Sequence, residues 1–186
     1  MKTFLRFLSA FALIATASTA VAFAAVKVEG TPTPTRPKPD FSSMTFLLGT
    51  WQCAEWSSRR PGPFEVTEVY TMDPAGYWIV RDFTTHKAAW IPREFHNQSK
   101  YTYDDLAKRW VRITIGEEGY FQVATAPMPT GSTKTYTFAI ETKRPDVASY
   151  APEVYNKVSD TKKTMTTSFT ETNGRVVNVK ETCTKS

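Results

Sequence analysis

The sequence has none of the short motifs that mark the common catalytic and nucleotide-binding sites. Its 186 residues contain no Gly-x-Ser-x-Gly, His-Glu-x-x-His or Cys-x-x-Cys, and no phosphate-binding glycine loop. Only two cysteines and two histidines are present. We therefore predict no catalytic residue, no metal site and no cofactor.

Long apolar runs are absent beyond the first two dozen residues, so no later segment has the length of a transmembrane helix. The net charge is +5, and falls to +3 without Lys2 and Arg6 of the first segment. A balance this mild gives no reason to expect binding to nucleic acid or to an anionic membrane. We assign the basic pairs Arg59-Arg60 and Lys162-Lys163 to solvated turns.

The first segment has the order of a secretory signal peptide. A basic start precedes an apolar stretch over residues 7–17, and two small-residue cleavage sites follow, ending at Ala22 and at Ala24. A membrane anchor is the alternative, but the apolar stretch is short for a span. We expect residues 1–24 to be a signal peptide and the mature chain to be periplasmic or secreted.

The segment after the leader is rich in proline. Four prolines lie between Thr31 and Pro39, which favours an extended polyproline II spacer. We predict a linker over residues 25–40 and a folded domain over residues 41–186.

From Thr50 onward the pattern is that of an all-β protein. Runs rich in β-branched and aromatic residues alternate with turn sequences, of which Asn173-Gly174 is the strongest hairpin signal. About nine or ten strands with antiparallel neighbours are predicted, and residues 145–152 form the longest connection, with room for a short helix. A barrel and a sandwich both remove the exposed edges of such a sheet. The succession of hairpins favours a single closed up-and-down barrel.

Two short motifs resemble lipocalin-like (calycin) β-barrels. Phe46-Leu47-Leu48-Gly49-Thr50-Trp51 resembles the opening of these barrels, where Gly-x-Trp begins the first strand. The resemblance implies that Trp51 closes the barrel floor and that Gly49 lets the chain approach it closely. Tyr101 to Asp104, together with Lys108 to Val111, is similar to a central hairpin of the DUF1579 and nitrobindin-like relatives.

The nitrobindin pattern is not followed throughout. Nitrobindins have a further glycine where this chain has Cys53, and they bind haem through a histidine late in the chain. His86 and His96 both lie in the first half, so haem binding is not carried over.

The two cysteines fall in the first and last predicted strands. These strands are neighbours in a closed barrel, so an exported chain is expected to join Cys53 and Cys183 in a disulfide. Two free buried thiols are the alternative. Direct opposition of the cysteines would also place Glu55 opposite Glu181, where like charges repel. A bulge, a diagonal disulfide, strands opening to solvent, or a proton shared by the two carboxyls would each resolve this conflict.

Alternation along the second and third strands places polar and aromatic side chains toward the interior. Inward Glu68 and Arg81 form either a structural ion pair or a site for an acidic ligand. His86 is assigned to an exposed loop. The residues that we predict to reach a ligand are Tyr70, Arg81, Tyr101 and Tyr103.

Three hypotheses for function follow. The leading one is a barrel that binds a small apolar or amphipathic molecule, since small barrels hold one such ligand. The second is a structural or interaction module whose barrel is filled by side chains, which a cavity below about 300 Å³ would favour. The third is an isomerase or hydrolase that uses Glu55, Glu181, His86 or Arg81 at the barrel mouth.

The leader assignment predicts the mass of the exported protein. Expression with secretion should yield a chain that lacks its first 22 or 24 residues, because cleavage follows the small-residue sites. Intact-mass spectrometry of the secreted fraction measures this directly. A full-length mass in a membrane fraction would indicate an anchor instead.

Overall fold

The computed structural model describes residues 36–128, 134–142 and 144–186. The predicted leader and residues 25–35 of the predicted linker lie outside the described residues. The described ranges contain one short 3₁₀ turn, Thr45–Leu47, and are otherwise built from β-strands. The strands are β1 (Gly49–Ser57), β2 (Phe64–Met72), β3 (Ile79–Thr85), β4 (Phe95–Asp104), β5 (Arg109–Gly116), β6 (Phe121–Pro127), β7 (Thr135–Ile140), β8 (Val147–Tyr150), β9 (Glu153–Ser159), β10 (Lys162–Glu171) and β11 (Val176–Lys185).

Ten of the strands close into an antiparallel barrel. Strands β1 to β7 pair in chain order, β7 pairs with β9, and β9, β10 and β11 lead back to β1. The predicted all-β closed barrel is therefore confirmed. In the described part of the chain, no helix is long and apolar enough to cross a membrane.

The segment over residues 145–152 departs from its prediction. A connection with room for a short helix was expected there, but the structure has strand β8, which lies outside the barrel order and pairs with the end of β10. The pairing of β9 with β10 ends at Thr166, whereas β10 continues to Glu171. Strand β8 pairs with the edge of β10 that β9 leaves unpaired, and Tyr150 lies opposite Phe169 there.

Large aromatic side chains fill one end of the barrel. The strands alternate buried and exposed residues, as expected for a sheet with one face toward a core. Each buried aromatic group contributes roughly 1.5–3 kcal/mol of transfer free energy. The fully or almost fully buried aromatic residues at this end are Trp51, Tyr70, Tyr101, Trp110 and Phe138.

The segment before β1 seals this end. Phe41, Met44 and Leu47 are buried against the aromatic core, and the indole Nε1 of Trp51 donates a hydrogen bond of 2.7 Å to the Leu47 carbonyl oxygen. Gly49 has a φ of +112°, and a Cβ there would lie 2.9 Å from the Lys185 side chain. Trp51 is thus buried at this end of the barrel, whereas the close approach at Gly49 is to the Lys185 side chain and not to Trp51.

The seam between the first and last strands carries the disulfide. Cys53 and Cys183 lie directly opposite each other in the antiparallel pairing of β1 and β11 and are bonded to each other. The predicted disulfide is confirmed. It links residues 130 positions apart, so it restricts a large part of the unfolded chain.

Removing this bond should lower stability. We expect the double variant Cys53→Ala/Cys183→Ala to lose about 2–5 kcal/mol of unfolding free energy, because its unfolded chain is less constrained. Urea denaturation measures the difference. Wild-type protein in the presence of a reductant should approach the variant, and an unchanged midpoint in both would contradict the prediction.

Candidate functional site

A layer of charged side chains lies across the barrel interior above the aromatic end. Alternation places these side chains on the inner faces of six strands that are neighbours or face each other across the barrel. All six residues are at least nine-tenths buried, and burial of charge at this depth requires paired groups. They are Glu68, Arg81, Arg112, Glu153, Lys163 and Glu181.

Glu68 is the centre of the first ion-pair network. Its Oε1 accepts a hydrogen bond of 3.0 Å from Arg81 Nη1, and its Oε2 accepts one from Lys163 Nζ and one of 3.1 Å from the Tyr70 hydroxyl. Burial alone would raise the pKa of Glu68, but Lys163 and Arg81 lower it below its usual value. Glu68 is therefore ionised and fully partnered.

Arg112 and Glu153 form the second network. The two side chains make a double contact, in which Arg112 Nη2 donates to Glu153 Oε1 at 3.0 Å and Nη1 donates to Oε2. Tyr155 donates to the same carboxylate at 3.1 Å, and Arg112 Nη2 also donates to Gln122 at 2.6 Å. Burial would raise the pKa of Glu153, but Arg112 lowers it. This pair joins β5 to β9 across the interior.

Glu55 and Glu181 form a carboxyl pair with incomplete partners. They lie directly opposite each other, two residues along from the cysteines. Glu181 is contacted by Lys163 Nζ at 3.5 Å, whereas the carboxyl group of Glu55, which is partly exposed, makes no hydrogen bond to a side chain or backbone group in the described part of the chain. Burial, followed by repulsion from Glu181, raises the pKa of Glu55 to about 8. Burial and the charge of Glu68 raise the pKa of Glu181 to about 7.

A contact with the disulfide agrees with a protonated Glu181. The Oε1 atom of Glu181 lies 3.2 Å from Cys183 Sγ. A disulfide sulfur carries no hydrogen, so in any hydrogen bond here the carboxyl group is the donor and holds the proton. Of the resolutions considered for the opposed glutamates, the direct pairing of the cysteines excludes a bulge and a diagonal disulfide, and the raised pKa values of Glu55 and Glu181 favour protonated carboxyl groups.

This cluster does not offer a metal site. The sulfur atoms of Cys53 and Cys183 and one carboxylate oxygen each of Glu68 and Glu181 lie within 4.8 Å of one another. Both sulfurs belong to the disulfide and supply no thiolate. Lys163 Nζ, moreover, contacts both carboxylates. We therefore assign no metal to these residues.

The carboxyl pair faces a cavity of about 260 Å³ in the half of the barrel away from the aromatic end. Its floor is charged, and its upper wall is mainly aromatic and aliphatic. The charged floor includes Glu55, Glu68, Arg81, Arg112, Glu153 and Glu181. The upper wall includes Phe83, Tyr120, Ile140, Tyr150, Phe169 and Val179.

The structure separates the residues that we predicted to bind a ligand. Arg81 lines the cavity, but it is already paired with Glu68. Tyr70 and Tyr101 instead line a void of about 10 Å³ at the aromatic end, which is too small for a ligand. Tyr103 packs edge-on against Trp110, with ring centroids 5.4 Å apart.

Sequence reasoning missed three members of the site, Arg112, Glu153 and Lys163. The assignment of Lys163 to a solvated turn is wrong, since the residue is 1% exposed and contacts Glu68 and Glu181. Alternation within β10 gives the missing signal, because Lys163 shares a face with buried Met165.

His86 lies outside the barrel and takes no part in the cavity. Its imidazole contacts Thr67 Oγ1 at 2.8 Å and Glu94 Oε1 at 2.9 Å. Thr67 is on the outer face of β2, since it alternates with buried Val66 and Glu68. His86 therefore does not meet Glu55, Glu181 or Arg81 in a common site.

Comparisons with known proteins give little further guidance. No family profile matches the chain, and no curated protein is detectably similar to it. Among solved structures, the chain is similar to a protein of unknown function of the DUF3598 family from Nostoc punctiforme, with 13% identity and a TM-score of 0.41. The match covers 85% of this chain and 53% of that protein, so the chain spans about half its length.

The raised pKa of Glu55 predicts how stability depends on pH. The folded pKa is about 8 and the ordinary value is 4.5, so the folded state binds more protons between these values and stability falls as pH rises. Glu55→Gln removes this effect. We expect the variant to exceed wild type in unfolding free energy by on the order of 3 kcal/mol at pH 8.5, and by much less at pH 5.

Denaturant titration at the two pH values measures this effect. Glu65→Gln is the matched control, because it replaces the same side chain by the same amide at an exposed position on the outer face of β2. A difference between Glu55→Gln and wild type that is independent of pH would contradict the prediction.

Proposed function

We propose that the protein is an exported barrel that binds one small amphipathic molecule in the open half of its interior. The observation that supports this most directly is the cavity of about 260 Å³, which combines a charged floor with an aromatic and aliphatic upper wall. Ligand sites typically combine apolar walls with a few polar groups that fix orientation.

The size of the cavity limits the ligand. The cavity of about 260 Å³ is below the limit of about 300 Å³, and by that criterion its size favours a filled structural barrel over a site for a drug-sized ligand. A smaller molecule still fits, because side chains fill only the aromatic end and leave the region above Glu55 and Glu181 open. The ligand in this proposal is therefore small.

The charged floor favours an amphipathic ligand over an apolar one. A wholly apolar molecule would remove the carboxyls of Glu55 and Glu181 from water without replacing their hydrogen bonds, which is unfavourable. A molecule with one polar end would satisfy these groups and place its apolar part against Phe83, Tyr120 and Phe169.

A structural or interaction module is the second candidate. The filled aromatic end and the completed ion pairs of Glu68 and Glu153 favour it, because such groups stabilise a barrel without any ligand. The enzymatic alternative has less support. Arg81 is held by Glu68, and His86 lies on the outer surface, so only Glu55 and Glu181 remain as candidate acid–base groups.

The proposal also includes export of the protein and a relationship to known barrel families. A disulfide agrees with an oxidising compartment such as the periplasm or the exterior. Kinship with the DUF1579 and nitrobindin-like relatives stays a prediction that depends on the Gly49-Thr50-Trp51 motif and the central hairpin.

Mass spectrometry of protein purified from an oxidising compartment tests the proposal. Native conditions should give a larger mass than denaturing conditions, either from a co-purified molecule or after incubation with small amphipathic compounds. Ile140→Trp should abolish the increment, because its indole would occupy the cavity.

Ile115→Trp is the matched control, since Ile115 is exposed on the outer face of β5, and this variant should keep the increment. Equal native and denatured masses for the wild type under all conditions would favour the filled structural barrel.

A further inference from the structure

The charges around the cavity do not balance. The cavity and the network beneath it contain four carboxyl groups, from Glu55, Glu68, Glu153 and Glu181. Four cationic groups lie at the site, of which Arg81, Arg112 and Lys163 oppose these carboxyl groups, whereas Arg144 is paired with Asp146. The fully ionised site therefore has one negative charge in excess, and buried charge is normally compensated.

The cationic groups beside the carboxyl pair are already paired in charge. Arg81 is paired with Glu68 and also donates to Ser99, and Arg112 is paired with Glu153 and also donates to Tyr155 and Gln122. An anionic ligand would therefore compete with a carboxylate that each arginine already binds.

The groups at the cavity that lack a full set of hydrogen-bond partners are acceptors. Glu55 lines the cavity without a hydrogen-bond partner in the described part of the chain, and Glu181 has only a long contact to Lys163 at 3.5 Å and the contact to Cys183 Sγ. Glu181 is 5% exposed, so water does not freely replace the missing partners. Glu55 and Glu181 are thus the carboxyl groups at the cavity that lack a full set of donors, since the arginines are paired with other carboxylates.

We propose that the polar end of the ligand is a protonated amine, held between the carboxylates of Glu55 and Glu181. This inference rests on the proposed function, because it assigns a chemical class to the occupant of the same cavity. One ammonium group has three donors and one charge, which matches the two carboxylates and the missing cation.

The aromatic upper wall of the cavity fits the apolar part of an amine ligand. Four aromatic rings, from Phe83, Tyr120, Tyr150 and Phe169, line the cavity. Aromatic faces attract cations and also pack against aliphatic or aromatic groups. Arg144 at this level is paired with Asp146 at 2.9 Å and lies over the Tyr120 ring, so its charge is compensated.

Binding of an amine should release a proton. The raised pKa values of Glu55 and Glu181 indicate that the empty site holds a proton on this pair, and the ammonium group would replace it. The charged groups that face the pair are already committed to ion pairs and do not substitute for this proton. They are Glu68 on β2, Arg81 on β3, Arg112 on β5, Glu153 on β9 and Lys163 on β10.

Affinity should therefore rise with pH through the range in which the pair loses its proton. An alkylamine stays protonated to about pH 10, as a lysine side chain does. With raised pKa values of about 7 for Glu181 and about 8 for Glu55, proton competition predicts binding at least tenfold tighter at pH 8 than at pH 6.

Calorimetric titration of the wild-type protein with three probes of one size tests the assignment. The probes are phenethylamine, phenethyl alcohol and phenylacetate, which differ in the charge of the polar end. We expect the amine to bind at least tenfold more tightly than the other two at pH 8. Titration in two buffers of different ionisation enthalpy should also report proton release.

Two variants locate the site. Glu55→Gln should weaken amine binding at least tenfold and alcohol binding much less, because only the amine loses an ionic partner, whereas Glu65→Gln on the outer face of β2 should change neither. Glu55 is in no ion pair in the described structure, so its replacement keeps the fold, which circular dichroism would verify.

The outcomes separate this inference from the proposed function. Tighter binding of the alcohol or the acid, abolished by Ile140→Trp, would overturn the amine assignment and keep the binding barrel. Amine binding that is independent of pH or unaffected by Glu55→Gln would also overturn it. Failure of all three probes, with equal native and denatured masses, would overturn both.

Discussion

The antiparallel register between β1 and β11 is the constraint on which the rest of the structure depends. It closes the barrel, and it places Cys53 opposite Cys183. Side chains alternate with a period of two, so the same register places Glu55 opposite Glu181 on the inner face. A slip of β11 by one residue would turn Cys183 and Glu181 outward and leave Cys53 and Glu55 without these partners. The bond that stabilises the seam thus also brings two carboxyl groups together.

The interior changes in character along the barrel axis. Side chains fill the aromatic end around Trp51 and Trp110, and the middle contains paired charges. The far half contains the cavity, at which Glu55 and Glu181 lack a full set of partners. Replacing a buried ion pair by well-fitting apolar side chains is often neutral or stabilising. A charged middle layer is therefore not needed for folding alone. Its presence agrees better with a surface built to orient a bound molecule.

Much of the architecture could be predicted from the sequence. Turn sequences and the alternation of side chains predicted the barrel. The two cysteines predicted the disulfide, and their direct opposition predicted that Glu55 and Glu181 lie opposite each other. The partners of Arg112 were beyond reach, because Glu153 lies on a strand across the interior and such contacts depend on the width and shear of the barrel. Strand β8 was missed because Pro145 and Pro152 flank a run of only four residues.

That short strand also bears on how the protein behaves at high concentration. Where β9 ends, β10 would present unpaired backbone groups to a second molecule, and such edges template association between chains. Strand β8 covers this position and offers in turn only four residues of edge, with prolines close on either side that cannot donate a backbone hydrogen bond. The extra strand thus protects the mouth of the barrel against sheet-to-sheet self-association.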